Sequence, residues 1–217
     1  MFLRANFNGD PNIGLYGFAT DSYIFLGRPT KMCSRIEEAL NVKASYSTVL
    51  YTDFPGIFCA GNSQGIVVPM ILREYEIGRL KEIFSNILVL DTDYSALGNL
   101  ILLNDSGVVI SSLLRKHKKE IQEFFNLPCE VSKIAGTVVV GSMAVATNKG
   151  CIAGPGIKNN EIKILEDTLN IELGIGTVSF GSRFAHSGII ANSSGCVVSD
   201  TSSGPELGRV SEALGFS

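Results

Sequence analysis

The sequence predicts an α/β protein, a pseudo-fivefold propeller of five ββαβ repeats of about 43 residues each. Three observations predict it: pairs of short apolar segments recur, an amphipathic segment follows each pair, and the period is nearly constant. Five such units account for the 217 residues. Because a ββαβ unit cannot bury both faces of its sheet alone, we expect the five to close into one ring-shaped domain. The alternative is a string of hairpins in two ordinary α+β domains.

Glycines mark the start of each repeat and its first turn. The turn glycines are 42, 43 and 45 residues apart: Gly65, Gly107, Gly150 and Gly195. Nine residues before the first three of them stand the opening glycines, which are Gly56, Gly98 and Gly141. We expect a first apolar strand to begin at each opening glycine and a hairpin turn at each turn glycine. The fifth repeat is the least regular, since nine residues before Gly195 stands His186.

The helices and third strands complete the predicted repeats. Apolar residues at helical spacing predict helices near residues 73–84, 114–125, 160–169 and 205–214. Short third strands are expected at 42–44, 87–90, 129–131 and 171–173. No such strand follows the last helix, so we expect the N-terminal strand 2–6 to fill that place and close the ring. The resulting domain spans 1–217, with repeats at 10–46, 47–90, 91–132, 133–173 and 174–217.

Composition excludes several classes of function. The net charge of −3 argues against an interface dominated by nucleic acid, which needs excess cations. Five widely spaced cysteines without a C-x-x-C pair predict buried thiols in the reducing cytoplasm and no zinc site. Asp91 and Asp93 offer too few oxygen ligands for a hard cation. No signal peptide or membrane span is expected, and neither is a metal or cofactor.

Motifs in every repeat carry a family resemblance. The chain resembles the translation initiation factor six family, the anti-association factors of the large ribosomal subunit, over essentially its whole length. The matching residues are Gly61-Asn62, Gly65, Val68-Pro69, Ser95-Ala96-Leu97-Gly98-Asn99, Asn148, Gly150, Gly176-Thr177-Val178, Gly181-Ser182, Asp200-Thr201-Ser202 and Glu206-Leu207. The resemblance implies the pentein fold, which is this same propeller. Eukaryotic members carry a further C-terminal tail, so the resemblance favours the archaeal type.

The resemblance also implies a function. Family members bind the intersubunit face of the large ribosomal subunit near the sarcin–ricin loop, chiefly through a neighbouring ribosomal protein, and block joining of the small subunit. We therefore expect a cytoplasmic, monomeric binding protein that is not an enzyme. Direct contact with RNA is expected to be minor or absent, in agreement with the charge balance.

A second hypothesis comes from enzymes that share the pentein fold. Deiminases and amidinotransferases of this fold modify guanidino groups with a cysteine nucleophile, a histidine base and carboxylates. Cys196 lies late in the chain, and His186 belongs to the same predicted hairpin. His117 lies in a charged helical segment that we expect to be solvated. Because Gly195-Cys196-Val197-Val198 also has the pattern of an apolar core strand, a structural role for Cys196 is favoured.

The loops before each first strand are the predicted binding face. In a ring these loops crowd together at one end of the axis. We expect Ile13, Phe54, Leu97, Met143 and Phe184 to form an apolar patch there, or else to plug the axis. The full predicted ribosome-binding face comprises Ile13, Gly14, Phe54, Gly56, Ile57, Leu97, Gly98, Asn99, Ser142, Met143, Arg183 and Phe184. We expect the basic run 115–119 to be an exposed helix face whose positive charges are balanced by Glu120 and Glu123. The alternative is that this run contacts RNA.

Overall fold

The structure, a computed structural model, describes residues 1–216; Ser217, the last residue of the predicted fifth repeat, lies outside them. The chain begins with β1 (Phe2–Ala5), and five similar groups of elements follow. The first group is a 3₁₀ turn at Ile13–Tyr16, β2 (Gly17–Ala19), β3 (Ile24–Leu26), α1 (Cys33–Leu40) and β4 (Ala44–Tyr46). The second is α2 (Pro55–Phe58), β5 (Ala60–Asn62), β6 (Gly65–Pro69), α3 (Glu74–Ile83) and β7 (Ile87–Leu90).

The remaining groups repeat this order. The third is α4 (Leu97–Leu100), β8 (Ile101–Leu103), β9 (Val108–Ser111), a 3₁₀ segment Ser112–His117 that runs into α5 (Lys118–Phe125), and β10 (Cys129–Ser132). The fourth is α6 (Val140–Met143), β11 (Ala144–Ala146), β12 (Cys151–Ala153), α7 (Asn159–Leu169) and β13 (Leu173–Ile175). The fifth is a 3₁₀ turn at Ala185–Gly188, β14 (Ile189–Ala191), β15 (Cys196–Ser199) and α8 (Gly204–Ala213).

The strands form five three-stranded sheets, each with the same topology. The orders are β2-β3-β4, β5-β6-β7, β8-β9-β10, β11-β12-β13 and β14-β15-β1. In every sheet the first two strands are antiparallel, and in the first four sheets the strand after the helix joins the middle strand in parallel. The predicted fold class, an α/β pentein of five ββαβ repeats, is confirmed.

The third strand of the fifth sheet comes from the N-terminus. Strand β1 pairs in parallel with β15, and Phe2 lies opposite Cys196. The backbone amide of Cys196 also donates to the carbonyl oxygen of Met1 at 2.9 Å, and the N-terminal ammonium group donates to the carbonyl oxygen of Ser194 at 2.9 Å. Without β1, the middle strand β15 would be a sheet edge.

The first strands begin later than the sequence pattern predicts. The segments that open with Gly56, Gly98 and Gly141 start as short helical turns, and the strands follow at Ala60, Ile101 and Ala144. His186 likewise lies in a 3₁₀ turn and not at the start of a strand. The third strands near residues 42 and 171 begin two residues later than expected, at Ala44 and Leu173. Apolar runs of this length fit a strand or a helical turn, so periodicity alone could not distinguish the two.

The five short helical turns form a ring of their own. Helix α2 contacts the Ile13–Tyr16 turn on one side and α4 on the other, and α4 contacts α6. Helix α6 contacts the Ala185–Gly188 turn, which contacts the Ile13–Tyr16 turn. We call these five segments the axial turns, and the end of the molecule where they meet is the loop face.

Side-chain amides link neighbouring repeats near the opposite end of the axis. The Asn62 side chain donates to the carbonyl oxygen of Asn104 at 3.1 Å, and the Asn104 side chain donates to that of Thr147 at 3.0 Å. In the same way the Asn192 side chain donates to the carbonyl oxygen of Thr20 at 3.0 Å. Because these groups are buried, each bond satisfies a backbone oxygen that would otherwise lack a partner.

Apolar burial accounts for the packing between sheets and helices. Each helix places its apolar face against its sheet, as Ile121 and Phe125 of α5 do with no exposed surface. Cys59, Cys129, Cys151 and Cys196 are buried free thiols, as predicted, whereas Cys33 is partly exposed. Among residues 1–216 no helix is both long and apolar enough to cross a membrane.

Candidate functional site

Glycines allow the axial turns to approach one another. A Cβ atom added to Gly56 would overlap the carbonyl oxygen of Gly14, and one added to Gly98 would overlap that of Gly56. A Cβ atom added to Gly141 would overlap the carbonyl oxygen of Gly98, and one added to Gly14 would overlap that of His186. Each ring position therefore lies against the backbone of the preceding repeat, where a side chain has no room.

His186 is the fifth member of this ring of glycines. Its imidazole crosses the axis region between the two neighbouring repeats: Nδ1 lies 3.2 Å from the carbonyl oxygen of Gly141, and Nε2 lies 3.0 Å from that of Gly14. A neutral imidazole can donate from only one of these nitrogens. Burial lowers the pKa of His186, although the hydrogen bonds to Gly14 and Gly141 oppose that shift. The neutral His186 therefore hydrogen-bonds to the first or the fourth repeat, according to which nitrogen carries the proton.

Above His186 the loop face carries a depression of about 330 Å³ to which all five repeats contribute. We call it the cup. Its lining contains amide, hydroxyl, imidazole and apolar side chains but no carboxylate, ammonium or guanidinium group: Asn12, Leu15, Ile57, Asn99, Ser142, Ser182, Phe184, His186 and Ser187. A site of this composition suits a neutral group on a partner, since nothing in it neutralises a phosphate or a carboxylate.

Asn99 is the best-placed hydrogen-bonding group of the cup. Its Oδ1 accepts a hydrogen bond from the Ser142 hydroxyl at 2.9 Å, which fixes the orientation of the amide. Its amino group makes no hydrogen bond within the described chain. Asn12 has the complementary arrangement, because its amino group donates to Asp10 at 2.9 Å and its Oδ1 stays available. Of the two cup amides, Asn99 thus offers a donor and Asn12 an acceptor, the pair that a partner's peptide or amide group requires.

The predicted apolar patch is wrong in three of its five members. Ile13, Leu97 and Met143 have no exposed surface, because the axial turns direct these side chains into the core. Phe54 is half-buried, with its ring 5.0 Å from that of Tyr16. Only Phe184 is exposed, to 42%. The alternative prediction, that these side chains plug the axis, describes the three buried residues better than an exposed patch does. The side chain that lies between the axial turns is, however, that of His186.

The other predicted face residues divide into backbone and side-chain groups. Gly14, Gly56 and Gly98 are buried in the ring of axial turns, so they shape the face through their backbones. Ile57, Asn99 and Ser142 are half-buried in the cup, and Arg183 is exposed at its rim with its guanidinium 5.7 Å from the Phe184 ring. The predicted face lacks five cup residues: Asn12, Leu15, Ser182, His186 and Ser187. The position of His186 nine residues before Gly195 was a usable signal, since that register aligns it with the opening glycines.

A buried carboxylate holds the loop next to the cup in the fifth repeat. The Glu206 carboxylate accepts the backbone amides of Phe180 at 3.2 Å and Gly181 at 2.8 Å, and the Thr177 hydroxyl at 2.8 Å. It also accepts the backbone amide of Ser203 at 2.7 Å, which is part of the capping box at the start of α8. Burial acts to raise the pKa of Glu206, but these hydrogen bonds outweigh it and lower the pKa to about 2.

The same clamp occurs in two other repeats. Glu161 accepts the backbone amides of Ala135 at 2.9 Å and Gly136 at 3.2 Å. In the second repeat, Glu76 accepts the amide of Tyr51 at 3.4 Å. In each case a glutamate in the first turn of the helix fixes the tight turn that opens its repeat.

The groups of the enzyme hypothesis are not arranged for catalysis. Cys196 has no exposed surface, and burial raises the pKa of its thiol, with the N-terminal amine opposing that shift. Both nitrogens of His186 face backbone carbonyl oxygens. A nucleophilic cysteine needs an accessible thiolate and a base within hydrogen-bond reach.

His117 and its charged segment also differ from the expectation. His117 is buried and not solvated, with Nδ1 3.1 Å from Glu120. Lys119 pairs with Glu123 at 3.6 Å, as predicted, whereas Lys118 pairs with Glu130 at 2.9 Å and the predicted partner Glu120 lies against His117.

The opposite mouth of the axis is closed by one side chain. The Asn148 amide donates to Asp21 at 2.8 Å and to Asp105 at 2.6 Å, and these belong to the first and third repeats. Serine groups satisfy the same carboxylates: Ser193 donates to Asp21 at 2.8 Å, and Ser63 to Asp105 at 2.8 Å. Among residues 1–216 no cluster of three or more histidine, cysteine, aspartate or glutamate side chains could hold a metal ion.

Comparison with known proteins confirms the predicted family resemblance. The chain is 34% identical to translation initiation factor 6 of Methanocaldococcus jannaschii over 227 residues, an alignment that covers 100% of this chain and 99% of that protein. It is 34% identical to the Pyrococcus horikoshii protein of the same name, with 98% of each chain covered. It is 32% identical to that of Thermococcus onnurineus, with 98% of this chain and 97% of that protein covered. The family model described as the eIF-6 family matches residues 2–213, and the chain belongs to that family.

Proposed function

We propose that this chain is a translation initiation factor that binds the intersubunit face of the large ribosomal subunit and prevents premature joining of the small subunit. Membership of the eIF-6 family and the name carried by the archaeal relatives support the general role. The finer assignment to the large subunit rests on the resemblance together with the cup. A cytoplasmic location and a monomeric state belong to the same proposal.

The observation that carries the proposal is the neutral cup to which all five repeats contribute. A surface without charged groups in its lining fits a protein contact better than a phosphate backbone. The available amino group of Asn99 and the available oxygen of Asn12 lie in the same depression, so a backbone segment or an amide side chain of a ribosomal protein has partners for both its polar atoms. Ile57, Leu15 and Phe184 supply the apolar surroundings that exclude water.

Co-sedimentation tests this proposal. Purified archaeal large and small subunits are mixed with the protein and separated by density. We expect the protein to move with the large subunit and not with the small one, and to reduce the yield of joined ribosomes. A protein that binds only small subunits, or neither, would refute the assignment.

Salt dependence separates a protein contact from an RNA contact. A contact that neutralises six or more phosphates loses roughly a thousandfold in affinity between about 50 and 200 mM salt. We expect a change of less than about threefold over that range, because the cup contains no cation. A steep loss would mean that RNA and the basic helix surfaces dominate the contact.

The enzyme hypothesis gives a different outcome. A guanidino-modifying enzyme would release urea or ammonia from arginine, agmatine or peptidyl arginine and would lose that activity in Cys196→Ala. The burial of Cys196 and the engagement of both His186 nitrogens favour no turnover.

A further inference from the structure

Tight turns open four of the five repeats and lie on the loop face, each held by an isolated β-bridge. The bridges join Phe7 to Asp10, Val49 to Thr52, Ile134 to Thr137, and Val178 to Ser182. In all four turns the tip residues adopt left-handed backbone conformations. The loops differ, however, in the residues that they place there.

At the second residue after the start of the bridge, two turns carry glycine and two carry an aromatic residue; the turn of the fifth repeat is one residue longer and adds Gly181, with a φ of 100°. Gly9 has a φ of 90° and Gly136 a φ of 73°, as expected for a conformation that favours glycine. Tyr51 and Phe180 each adopt a φ of 59°, where a bulky side chain is disfavoured. Folding alone would favour glycine at these two positions as well, so the aromatic side chains need another explanation.

Contacts within the chain account for the aromatic side chain of Tyr51 but not for that of Phe180. The Tyr51 ring lies 6.0 Å from that of Tyr75, so it has an aromatic neighbour within the chain. The Phe180 side chain is 82% exposed, the largest exposed fraction of any large apolar residue between residues 1 and 216. The ring therefore contributes little to the core although its backbone conformation is unfavourable.

The loop beneath Phe180 is held in place. Glu206 accepts the amides of Phe180 and Gly181, and the Ser202 hydroxyl accepts the amide of Ser179 at 2.9 Å. A side chain on a fixed backbone loses less freedom when it binds, because the main chain is already ordered. Two residues further on, the same loop reaches Ser182, which lines the cup.

We propose that Phe180 is an anchor residue that enters an apolar pocket on a protein of the large ribosomal subunit and extends the contact made by the cup. This inference rests on the proposed function. The phenyl ring has no polar atom, so an apolar pocket is the environment that rewards its burial. The exposed guanidinium of Arg183 lies three residues further along the chain, so stacking of Phe180 on an RNA base is the alternative that a leucine variant tests.

The variant Phe180→Gly tests the anchor, because it removes the ring and supplies the residue that the turn prefers. Binding of the full chain to purified large subunits is measured at equilibrium, and thermal unfolding is measured in parallel. We expect an unchanged or higher melting temperature together with a dissociation constant at least about tenfold larger. Unchanged binding, or a melting temperature several degrees lower, would overturn the inference.

The variant Phe180→Leu identifies the class of partner. Leucine still fills an apolar protein pocket, so we expect it to keep the affinity within about threefold of the unmodified chain. It cannot stack on a nucleobase, so equal losses in Phe180→Leu and Phe180→Gly would indicate RNA and overturn the protein assignment. Failure of the unmodified chain to bind large subunits would refute the proposed function itself, whereas normal binding by Phe180→Gly would refute only the anchor.

Discussion

His186 illustrates how one residue can alter a repeated structure without breaking it. Four repeats place glycine at the ring position of the axial turn, and the fifth places an imidazole between the carbonyl oxygens of Gly141 and Gly14. Perfect fivefold repetition would leave those two oxygens without this side-chain partner. The departure from the repeat thus supplies a polar link where three repeats meet.

The protonation of His186 predicts a pH dependence of stability. Burial lowers the pKa of His186 below its value of 6.5 in the unfolded chain, so the unfolded state takes up a proton that the folded state does not. Stability is then fully present above pH 6.5 and falls as the pH decreases below it. We expect the unmodified chain to lose about 1 kcal/mol more than His186→Gln between pH 7.5 and 5.5, measured by chemical denaturation. Equal losses in the two proteins would show that His186 does not titrate on unfolding.

At the scale of the element, the repeats were predictable because their periodicity reflects burial. Helices α3, α7 and α8 begin and end within one or two residues of their predicted bounds, since glycine, proline and apolar spacing mark both ends. Residues of the axial turns were predicted as strand, because the segment from Gly98 to Leu103 is apolar except for Asn99 and both structures bury such a run. The buried positions of Leu97 and Met143 follow from that helical turn, so a patch inferred by placing these residues in exposed loops could not be right.

Strand β1 is the element whose removal has the clearest expected effect. Leu3 and Ala5 are buried, and the strand supplies the partner of β15 from Cys196 to Ser199. Deletion of residues 1–6 would expose that strand as an edge and remove the apolar contacts, so we expect lower solubility and a lower melting temperature. The milder Leu3→Ala should lower the free energy of unfolding by about 2–3 kcal/mol in a denaturant titration. A shortened chain that melts at the same temperature as the full chain would refute closure by β1.

On the scale of the whole molecule, the ring brings together groups that are far apart in sequence. Asn12, Asn99 and Ser187 meet in one cup only because the axial turns converge. The period, read from the sequence, was enough to predict that the segments before the first strands meet at one end of the ring. It was not enough to predict which side chains reach the surface, because that depends on the rotation of each short turn about its own axis.

The central claim is that the cup on the loop face, and not the basic outer helix, binds the large subunit. The most direct measurement is the equilibrium affinity for purified large subunits of the double variant Asn99→Ala/Phe184→Ala, beside the control Lys116→Gln/Lys119→Gln. The first pair lies in the cup, whereas the control residues are exposed on the segment around α5. We predict a loss of about tenfold or more for the cup variant and less than about twofold for the control, with both proteins folded. The reverse ranking would contradict the account.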